Sequence, residues 1–316
     1  MEPRVTTGEG AVPGAGAPGE GDARSAPGAA AGYRVLPEPA VIRDPADPRL
    51  DDVRDLNHSD NRPDLPGGKG LVVAEGSLVV PRLIASRFPL RVVAGTRRRL
   101  RELDDALAAE DLRLPDDAVV VDVDRPTLAG AAGFDLHRGL VAAADRAPEP
   151  SVEDVVDGAR TLLVLEGVGD HENIGSLFRN AAGMGVDGVL FGAACADPLY
   201  RRAVRVSMGH VLRLPFAHLP GTTTTWQRSL QGLRDRGFRI VAMTPGEGAV
   251  ELWDAMDADR VAVLVGAEGP GLTEHAMRAC DVRVRIPMAP GTDSLNVATA
   301  AAIGFYERLR VLSNRA

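Results

Sequence analysis

The second half of the chain contains short, uninterrupted apolar runs that alternate with helix-like segments, and this alternation restricts the fold more than any other feature. The runs read, in order, "TLLVLEGV", "GVLFG", "RLPFAHL", "RIVAM", "VAVLVG" and "VRVRIPM". Strands that are apolar on both faces are typical of a parallel sheet that helices cover on both sides. The pattern predicts an α/β domain over residues 158–316, with helices that include 174–184 and 295–310.

The first half shows a shorter version of the same alternation. Residues 33–147 hold four strand-like runs, "GLVVAEG", "LRVVAG", "AVVVDVD" and "RGLVAAA". Helix-like segments lie among them, including Arg49–Leu56 and "TRRRLRELDDALAA". This order predicts a separate small α/β/α domain. The prolines of "DRAPEPSVED" predict a linker at 148–157.

The first 32 residues have a composition that does not favour a packed core. Gly, Ala and Pro fill 20 of these 32 positions, and the large apolar residues are Met1, Val5 and Val12. Such a segment buries too little surface to offset the entropy lost on ordering. Residues 1–32 are therefore predicted to be a disordered tail.

Charge and cysteine content narrow the class of protein. The net charge of −8 argues mildly against nucleic acid as a partner, although a local basic patch can still bind RNA. The sequence lacks the long apolar run of a membrane-spanning helix and the pattern of a secretion signal. Cys195 and Cys280 lie apart, outside any metal-like cluster. They indicate reduced thiols in a cytoplasmic protein without a metal or a membrane partner.

Three of the predicted strands end in loops of unusual composition, "EGVGDHENIGS", "GAEGPGL" and "IPMAPGTDSLN". In a parallel α/β sheet, ligands bind beyond the carboxyl ends of the strands. A dinucleotide-binding turn would require G-x-G-x-x-G in the first loop. Gly167 and Gly169 fit that fingerprint, but Glu172 stands at the third glycine position. A phosphate-binding G-x-x-x-x-G-K-[ST] loop is also missing, so the loops do not favour either nucleotide site.

Together, the three loops resemble the signature motifs of the SpoU (TrmH-like) RNA ribose 2′-O-methyltransferases of the SPOUT superfamily. "NIGSLFRNAAGMGVDGV" is similar to the first motif, "LVGAEGPGL" to the second and "IPMAPGTDSLNVATAAAI" to the third. The resemblance covers roughly residues 160–312. The preceding segment, 33–147, resembles the ribosomal-protein-like RNA-binding domain that many members carry.

The resemblance implies a fold, a cofactor and an assembly. The fold is a deep trefoil knot near the end of the chain, and the assembly is a homodimer. The cofactor is S-adenosyl-L-methionine, held in a bent shape by the second and third loops. The residues expected to bind it are Leu264, Gly266, Gly269, Ile286, Met288 and Leu295. The alanine-rich helix after the third motif is interpreted either as a dimer contact or as an ordinary core helix.

Five polar residues match motif positions and are the candidate catalytic residues: Arg179, Asn173, Glu268, Ser294 and Asn296. The implied reaction is attack of a ribose 2′-hydroxyl on the cofactor's methyl group, for which alignment supplies much of the rate. A guanidinium is a poor general base because its pKa exceeds ~12. We therefore expect Arg179 to clamp a phosphate and to stabilise the developing alkoxide. Proton removal is assigned either to the substrate's own phosphate or to Glu268, which could instead position the ribose.

Structural roles compete with these catalytic ones. Asn173 could equally be the N-cap of helix 174–184, and Ser294 could be the N-cap of the last helix. Glu268 could be an acid at the N-terminus of the helix that follows it. Asn296 is predicted to lie inside the first turn of the last helix. A capping role is less easily argued there, so a functional role is favoured for this residue.

Two arginine clusters are the candidate RNA-binding surface, with solvated helix faces as the alternative. Their members are Arg97, Arg98, Arg99, Arg201, Arg202 and Arg205. If these residues bind RNA, affinity should fall steeply with salt. The expected substrate is RNA, with ribosomal RNA favoured over transfer RNA because of the accessory domain. The alternatives are an RNA-binding protein of the same fold that has lost catalysis, and a nicotinamide-dependent oxidoreductase.

Overall fold

The computed structural model of the protein describes residues 33–59, 69–246, 248–292 and 294–315. The tail predicted at 1–32 lies outside the described residues. From Tyr33 onwards the chain forms one compact unit that contains two β-sheets. The boundaries predicted for a separate first domain and its linker therefore stay predictions.

The strands and helices of the described residues are as follows. The strands are β1 (Ala40–Ile42), β2 (Leu71–Glu75), β3 (Leu90–Gly95), β4 (Val119–Val123), β5 (Leu140–Asp145), β6 (Thr161–Leu165), β7 (Gly188–Phe191), β8 (Phe216–His218), β9 (Phe238–Met243), β10 (Val250–Glu251), β11 (Arg260–Val265) and β12 (Val282–Arg285). The helices are α1 (Leu56–Ser59), α2 (Val79–Ile84), α3 (Arg97–Ala109), α4 (Arg125–Ala132), α5 (Val152–Val156), α6 (His171–Gly183), α7 (Arg201–Val206), α8 (Leu230–Arg234), α9 (Glu274–Arg278) and α10 (Val297–Ser313).

The first sheet has five strands in the order β1-β4-β3-β5-β2. β1, β4 and β3 are parallel, whereas β5 runs antiparallel to both β3 and β2. Short apolar side chains fill both of its faces, and β2 is buried along its whole length. The α/β layering predicted for 33–147 is present, together with one short strand, β1, that the sequence pattern did not indicate.

The second sheet has seven strands, all parallel, in the order β10-β12-β9-β11-β6-β7-β8. The parallel sheet predicted from the uninterrupted apolar runs is confirmed. Leu165 at the end of β6 pairs with Val265 of β11 and with Phe191 of β7. The carboxyl ends of these three strands therefore meet at one level, and the loops that follow them lie side by side.

Several predicted elements have different bounds in the structure. The helix predicted at Arg49–Leu56 is instead a 3₁₀ turn at Pro48–Val53 followed by α1. The segment "RPTLAGAAG" forms α4, which Asp124 caps by accepting a hydrogen bond from the Thr127 amide. The second half of the predicted linker forms α5, whose Ser151 and Asp154 make reciprocal capping contacts.

The two sheets are joined by a shared hydrophobic cluster and by partly buried ion pairs. Arg201 of α7 donates to Glu75 of β2 at 2.6 Å, and the two side chains are 14% and 6% exposed. Arg146 and Asp197 form a second pair at 2.5 Å. Because Glu75 is buried, the first pair is sensitive to the loss of Arg201.

Arg308 fixes the last helix to the segment that precedes β11. It is 1% exposed and donates to the carbonyl oxygens of Met256 and Asp259, each at 2.7 Å, and of Ala258 at 2.5 Å. Burial lowers the pKa of Arg308 to about 10, so the guanidinium stays charged near neutral pH. The contacts hold α10 in place and thereby fix the position of its N-terminus, which lies at the carboxyl ends of the strands.

Candidate functional site

A cavity of about 530 Å³ lies beyond the carboxyl ends of β9, β11 and β12. Its walls come from residues 243–246, from 265–272 and from the loop that joins β12 to α10. The volume is within the range of small-molecule sites, and the position is the one expected for ligands of parallel α/β sheets. The second and third motif loops therefore enclose one site.

Five of the six residues predicted to bind a cofactor line this cavity. They are Gly266, Gly269, Ile286, Met288 and Leu295. Leu264 is fully buried in β11, and its neighbour Val265 is the residue of that strand that lines the cavity. Leu295 is 36% exposed, so an apolar surface is available to pack against a ligand.

The second motif loop is closed on itself. Ala267 and Gly271 form an antiparallel bridge, and the Gly271 amide donates to the Ala267 carbonyl at 3.0 Å. A Cβ atom at Gly266 would lie 2.4 Å from the backbone of Gly271, so only glycine allows the closure. Gly269 and Gly271 both have positive φ, 89° and 71°. The tip of this loop carries Glu268 into the site.

Three of the five candidate catalytic residues are joined by hydrogen bonds. The Asn173 amide nitrogen donates to Glu268 Oε2 at 3.1 Å, and the Asn296 amide nitrogen donates to Asn173 Oδ1 at 2.8 Å. Asn173 is 7% exposed, so both of its polar contacts matter for its burial. Because one residue comes from each motif, the network ties the three loops together.

The structure corrects the competing capping roles. Helix α6 begins at His171 and is capped by Asp170, which accepts from the Glu172 amide at 2.9 Å. Asn173 therefore lies within the first turn, and the alternative of an N-cap there is wrong.

Asn296, expected inside the last helix, is instead its N-cap. Its Oδ1 accepts from the amides of Ala298 and Thr299 at 2.9 and 3.2 Å. Ser294 precedes the cap and lines the cavity, so its role as an N-cap is wrong as well.

Arg179 lies outside the asparagine network. It is exposed on α6 and makes no hydrogen bond or ion pair with any residue that the structure describes. Six residues along a helix correspond to about 9 Å of rise from Asn173. The predicted arginine is thus on the same helix as the network but presents its charge to solvent.

A group of basic side chains surrounds His210 next to Arg179. Burial, followed by the positive charges of Arg82, Arg213 and Arg179, lowers the pKa of His210. Arg82 donates to the Met208 carbonyl just before His210. Arg213 is exposed and, like Arg179, has no ion-pair partner in the described residues. The result is a local excess of positive charge on an acidic protein.

The six arginines predicted to bind RNA are placed very differently. Arg97 pairs with Asp122 at 2.7 Å, and Arg98 and Arg99 both pair with Glu102. The guanidinium of Arg201 is held in the buried pair with Glu75, where it joins the two sheets. This placement argues against a role for Arg201 in binding RNA.

The other two members of the second arginine cluster are more accessible. Arg202 is exposed and pairs with Glu172 at 2.9 Å. Arg205 is partly exposed and has no ion-pair partner within the described part of the chain.

A second cavity of about 320 Å³ lies on the other side of the second motif loop, over β6 and β7. Glu166, the residue after β6, lines it together with Ala194 and Thr223. The sequence interpretation did not single out Glu166. An acidic residue directly after the apolar run at 162–165 was the available signal, because such a carboxylate must be buried or must face a site.

Neither a metal cluster nor reactive thiols are found in the described ranges. These residues contain no group of three or more His, Cys, Asp or Glu side chains that could hold a metal ion. Burial raises the pKa of Cys195 to about 11 and that of Cys280 to about 12, so both thiols are protonated at neutral pH. Among the same residues, no helix is both long and apolar enough to span a membrane.

Known proteins are similar to this chain in sequence and in fold. A model of the SpoU rRNA Methylase family matches residues 160–306. A Mycobacterium tuberculosis protein described as "Uncharacterized tRNA/rRNA methyltransferase Rv0881" is 60% identical over 272 residues, which are 85% of this chain and 91% of the relative.

Two more distant similarities agree with these. The 23S rRNA (guanosine-2′-O-)-methyltransferase RlmB of Ralstonia nicotianae is 30% identical over 217 residues, 67% of this chain and 83% of the relative. The crystal structure of an AdoMet-bound rRNA methyltransferase from Sinorhizobium meliloti superposes with a TM-score of 0.70 at 23% identity. It covers 86% of this chain and 98% of that one.

Proposed function

Because this chain belongs to the SpoU rRNA methylase family of RNA methyltransferases, we propose that it methylates a ribose 2′-hydroxyl of structured RNA with S-adenosylmethionine as the donor. The proposal rests on the hydrogen-bonded set of Asn173, Glu268 and Asn296, of which Glu268 and Asn296 line the cavity. The set contains one residue from each of the three family motifs. A ligand unrelated to the family's reaction would not require all three motifs to meet.

The cavity fits the proposed cofactor. Its volume of about 530 Å³ and its mixture of exposed backbone and apolar side chains suit an adenosine with a short polar chain. Leu295, Ile286 and Met288 would flank the adenine, and the closed loop at Gly266–Gly271 would offer backbone groups. The cofactor supplies a methyl group that is already activated on a sulfonium sulfur. The protein therefore needs to align the acceptor hydroxyl more than to activate the donor.

The polar residues would then act on the ribose. Asn173 donates to one carboxylate oxygen of Glu268, and the other oxygen would accept a hydrogen bond from the 2′-hydroxyl. Ser294 lines the same cavity and can contact the ligand there. Arg179 would clamp a phosphate of the target nucleotide, because a guanidinium forms bidentate contacts with phosphate and remains charged.

The basic group around His210 supports RNA as the partner. Arg179 and Arg213 of this group are exposed, and Arg205 of α7, which packs against α6, is partly exposed. All three lack ion-pair partners in the described residues, unlike Arg97, Arg98 and Arg99. A cation without a partner loses less when it binds a phosphate, because no ion pair must first be broken. We place the main phosphate contacts of the RNA on this group, with Arg202 at its edge.

Three further proposals follow from the family. The trefoil knot would form the cofactor cavity from its second and third motif loops. A homodimer is supported by Ile303, Tyr306 and Leu309, which are 37%, 61% and 38% exposed at spacings of three along α10. Ribosomal RNA is the proposed substrate, because a 30%-identical relative is described as a 23S rRNA methyltransferase.

The role of Arg179 is tested by Arg179→Ala with Arg113→Ala as a control distant in sequence. Purified protein is incubated with methyl-labelled S-adenosylmethionine and ribosomal or transfer RNA, and cofactor binding is measured by calorimetry. We expect Arg179→Ala to abolish methyl transfer while the Kd for the cofactor stays within about twofold. Loss of cofactor binding would show that Arg179 belongs to the cofactor cavity. Undiminished transfer would show that it has no role at the site.

A further inference from the structure

Glu166 is a buried carboxylate that the proposed reaction does not use. It follows β6 directly and is 5% exposed. Its side chain forms part of the wall of the second cavity and does not line the larger one. Charged side chains are seldom buried to this extent unless hydrogen bonds replace their hydration. The hydrogen bonds of Glu166 therefore indicate its role.

The carboxylate of Glu166 accepts four hydrogen bonds from neutral donors. Oε1 accepts from Trp226 Nε1 at 3.0 Å, from Gln227 Nε2 at 3.3 Å and from the Thr273 hydroxyl at 3.0 Å. Oε2 accepts from the Thr273 backbone amide at 2.8 Å. Two of the four bonds thus come from Thr273. One holds its backbone amide and the other holds its side-chain hydroxyl.

Thr273 is the residue at which the second motif loop ends. Its hydroxyl also accepts from the Ala276 amide at 3.2 Å and so caps α9. On the other side, the Glu166 amide donates to the Val265 carbonyl at 3.0 Å, just before the loop begins. Glu166 is therefore bonded to both ends of the closed loop between Val265 and Thr273.

We propose that Glu166 is a positioning residue for the cofactor site, which holds the second motif loop in its closed, ligand-binding shape by anchoring Thr273. This inference rests on the proposed function of the larger cavity. The loop is the wall between the two cavities and carries Glu268 at its tip. If the anchor is lost, the loop populates other shapes, and the apparent Kd rises by the inverse of the competent fraction.

Glu166→Gln tests the proposal with almost no change in volume. A glutamine can still accept from Trp226 and from the Thr273 hydroxyl through its oxygen, but its amide nitrogen cannot accept from the Thr273 amide. We expect the Kd for S-adenosylmethionine, measured by calorimetry, to rise about tenfold, and KM for the cofactor to rise with it. KM for RNA should stay within about twofold.

Trp226→Phe is the matched control. It removes one donor to the same carboxylate and leaves both Thr273 bonds in place. A purely structural role of Glu166 would give both variants the same lowered Tm and unchanged cofactor binding. The proposal instead requires that Trp226→Phe lowers Tm with a Kd within about twofold of the wild type, while Glu166→Gln weakens binding.

A second pair of variants covers the case in which Glu166→Gln does not fold. Thr273→Val removes the hydroxyl, whereas Thr273→Ser keeps it. We expect weaker cofactor binding for the first and near-normal binding for the second. Equal cofactor affinity in both, or wild-type affinity in folded Glu166→Gln, would overturn the proposal. If the wild-type protein itself fails to bind the cofactor, the proposed function is wrong instead, and the two failures are thereby distinguished.

Discussion

Asn296→Ala should remove two separate contributions to stability at one position. The first is the N-cap of α10, where Oδ1 accepts from the Ala298 and Thr299 amides. Its loss costs about 1 kcal/mol. The second is the donor to Asn173 Oδ1, and a buried acceptor left without a partner costs about 1–3 kcal/mol. Together they predict a loss of about 2–4 kcal/mol in the free energy of unfolding.

Asn296→Ser separates the two contributions. Serine caps a helix about as well as asparagine, but its shorter side chain does not reach Asn173. We expect Asn296→Ser to lose only the about 1–3 kcal/mol of the orphaned acceptor, so that the two variants differ by about 1 kcal/mol. Chemical denaturation monitored by far-ultraviolet circular dichroism gives both values, and the Tm of Asn296→Ala should fall on the order of 5–10 °C.

The same variants report on the site. Both break the link from Asn296 through Asn173 to Glu268, so both should lose methyl transfer to a similar degree despite their different stabilities. Equal stability of Asn296→Ala and Asn296→Ser would refute the capping contribution. Wild-type stability of Asn296→Ser would show that leaving Asn173 Oδ1 without its donor has no cost. Wild-type methyl transfer by both variants would show that the hydrogen bond from Asn296 to Asn173 has no role in the reaction.

Three further outcomes are expected. Arg213→Glu should lower RNA affinity about tenfold or more near 0.1 M salt and flatten its salt dependence, whereas Arg98→Glu should have a smaller effect. Filter binding across a salt series checks both variants. A larger loss of affinity in Arg98→Glu than in Arg213→Glu would place the RNA surface on the first sheet. Arg201→Met should lower the free energy of unfolding by about 3–5 kcal/mol, because Glu75 is left buried without its cation. The double variant with Glu75→Leu should recover most of this loss. A loss below about 0.5 kcal/mol in Arg201→Met would show that the pair is effectively solvated. Cys195 and Cys280 have pKa values raised to about 11 and about 12, so at pH 8 they should be alkylated roughly a hundredfold and roughly a thousandfold more slowly in the folded than in the unfolded protein. The rate in the folded protein should rise with pH as more thiolate forms, and equal rates in the two states would contradict their burial.

The sequence was sufficient for the features that depend on local pattern. Uninterrupted apolar runs predicted the parallel sheet because a strand buried on both faces has no polar side to alternate with. Short edge elements such as β1 and β10, three and two residues long, carry too few residues to form a pattern. The start of α6 was misplaced because Asp170 and Asn173 are both good capping residues three positions apart.

The remaining features depend on partners that are far away in the chain. Glu75 lies 126 positions from Arg201, and Glu166 lies 107 positions from Thr273. An arginine cluster that looks like an RNA surface in the sequence can therefore be an internal ion pair in the fold. One ambiguity was local: the sequence could not show whether Ser294 or Asn296 caps the last helix, since serine and asparagine both suit the position.

The position of the transferred methyl group distinguishes a ribose methyltransferase from a base methyltransferase. RNA methylated by the purified protein with methyl-labelled S-adenosylmethionine is hydrolysed in alkali and separated by size. Alkaline cleavage needs a free 2′-hydroxyl, so the proposed reaction predicts that the label appears in alkali-resistant dinucleotides. Label in mononucleotides would place the methyl group on a base, and would contradict the assignment of Glu268, Asn173 and Asn296 to a ribose-directed site.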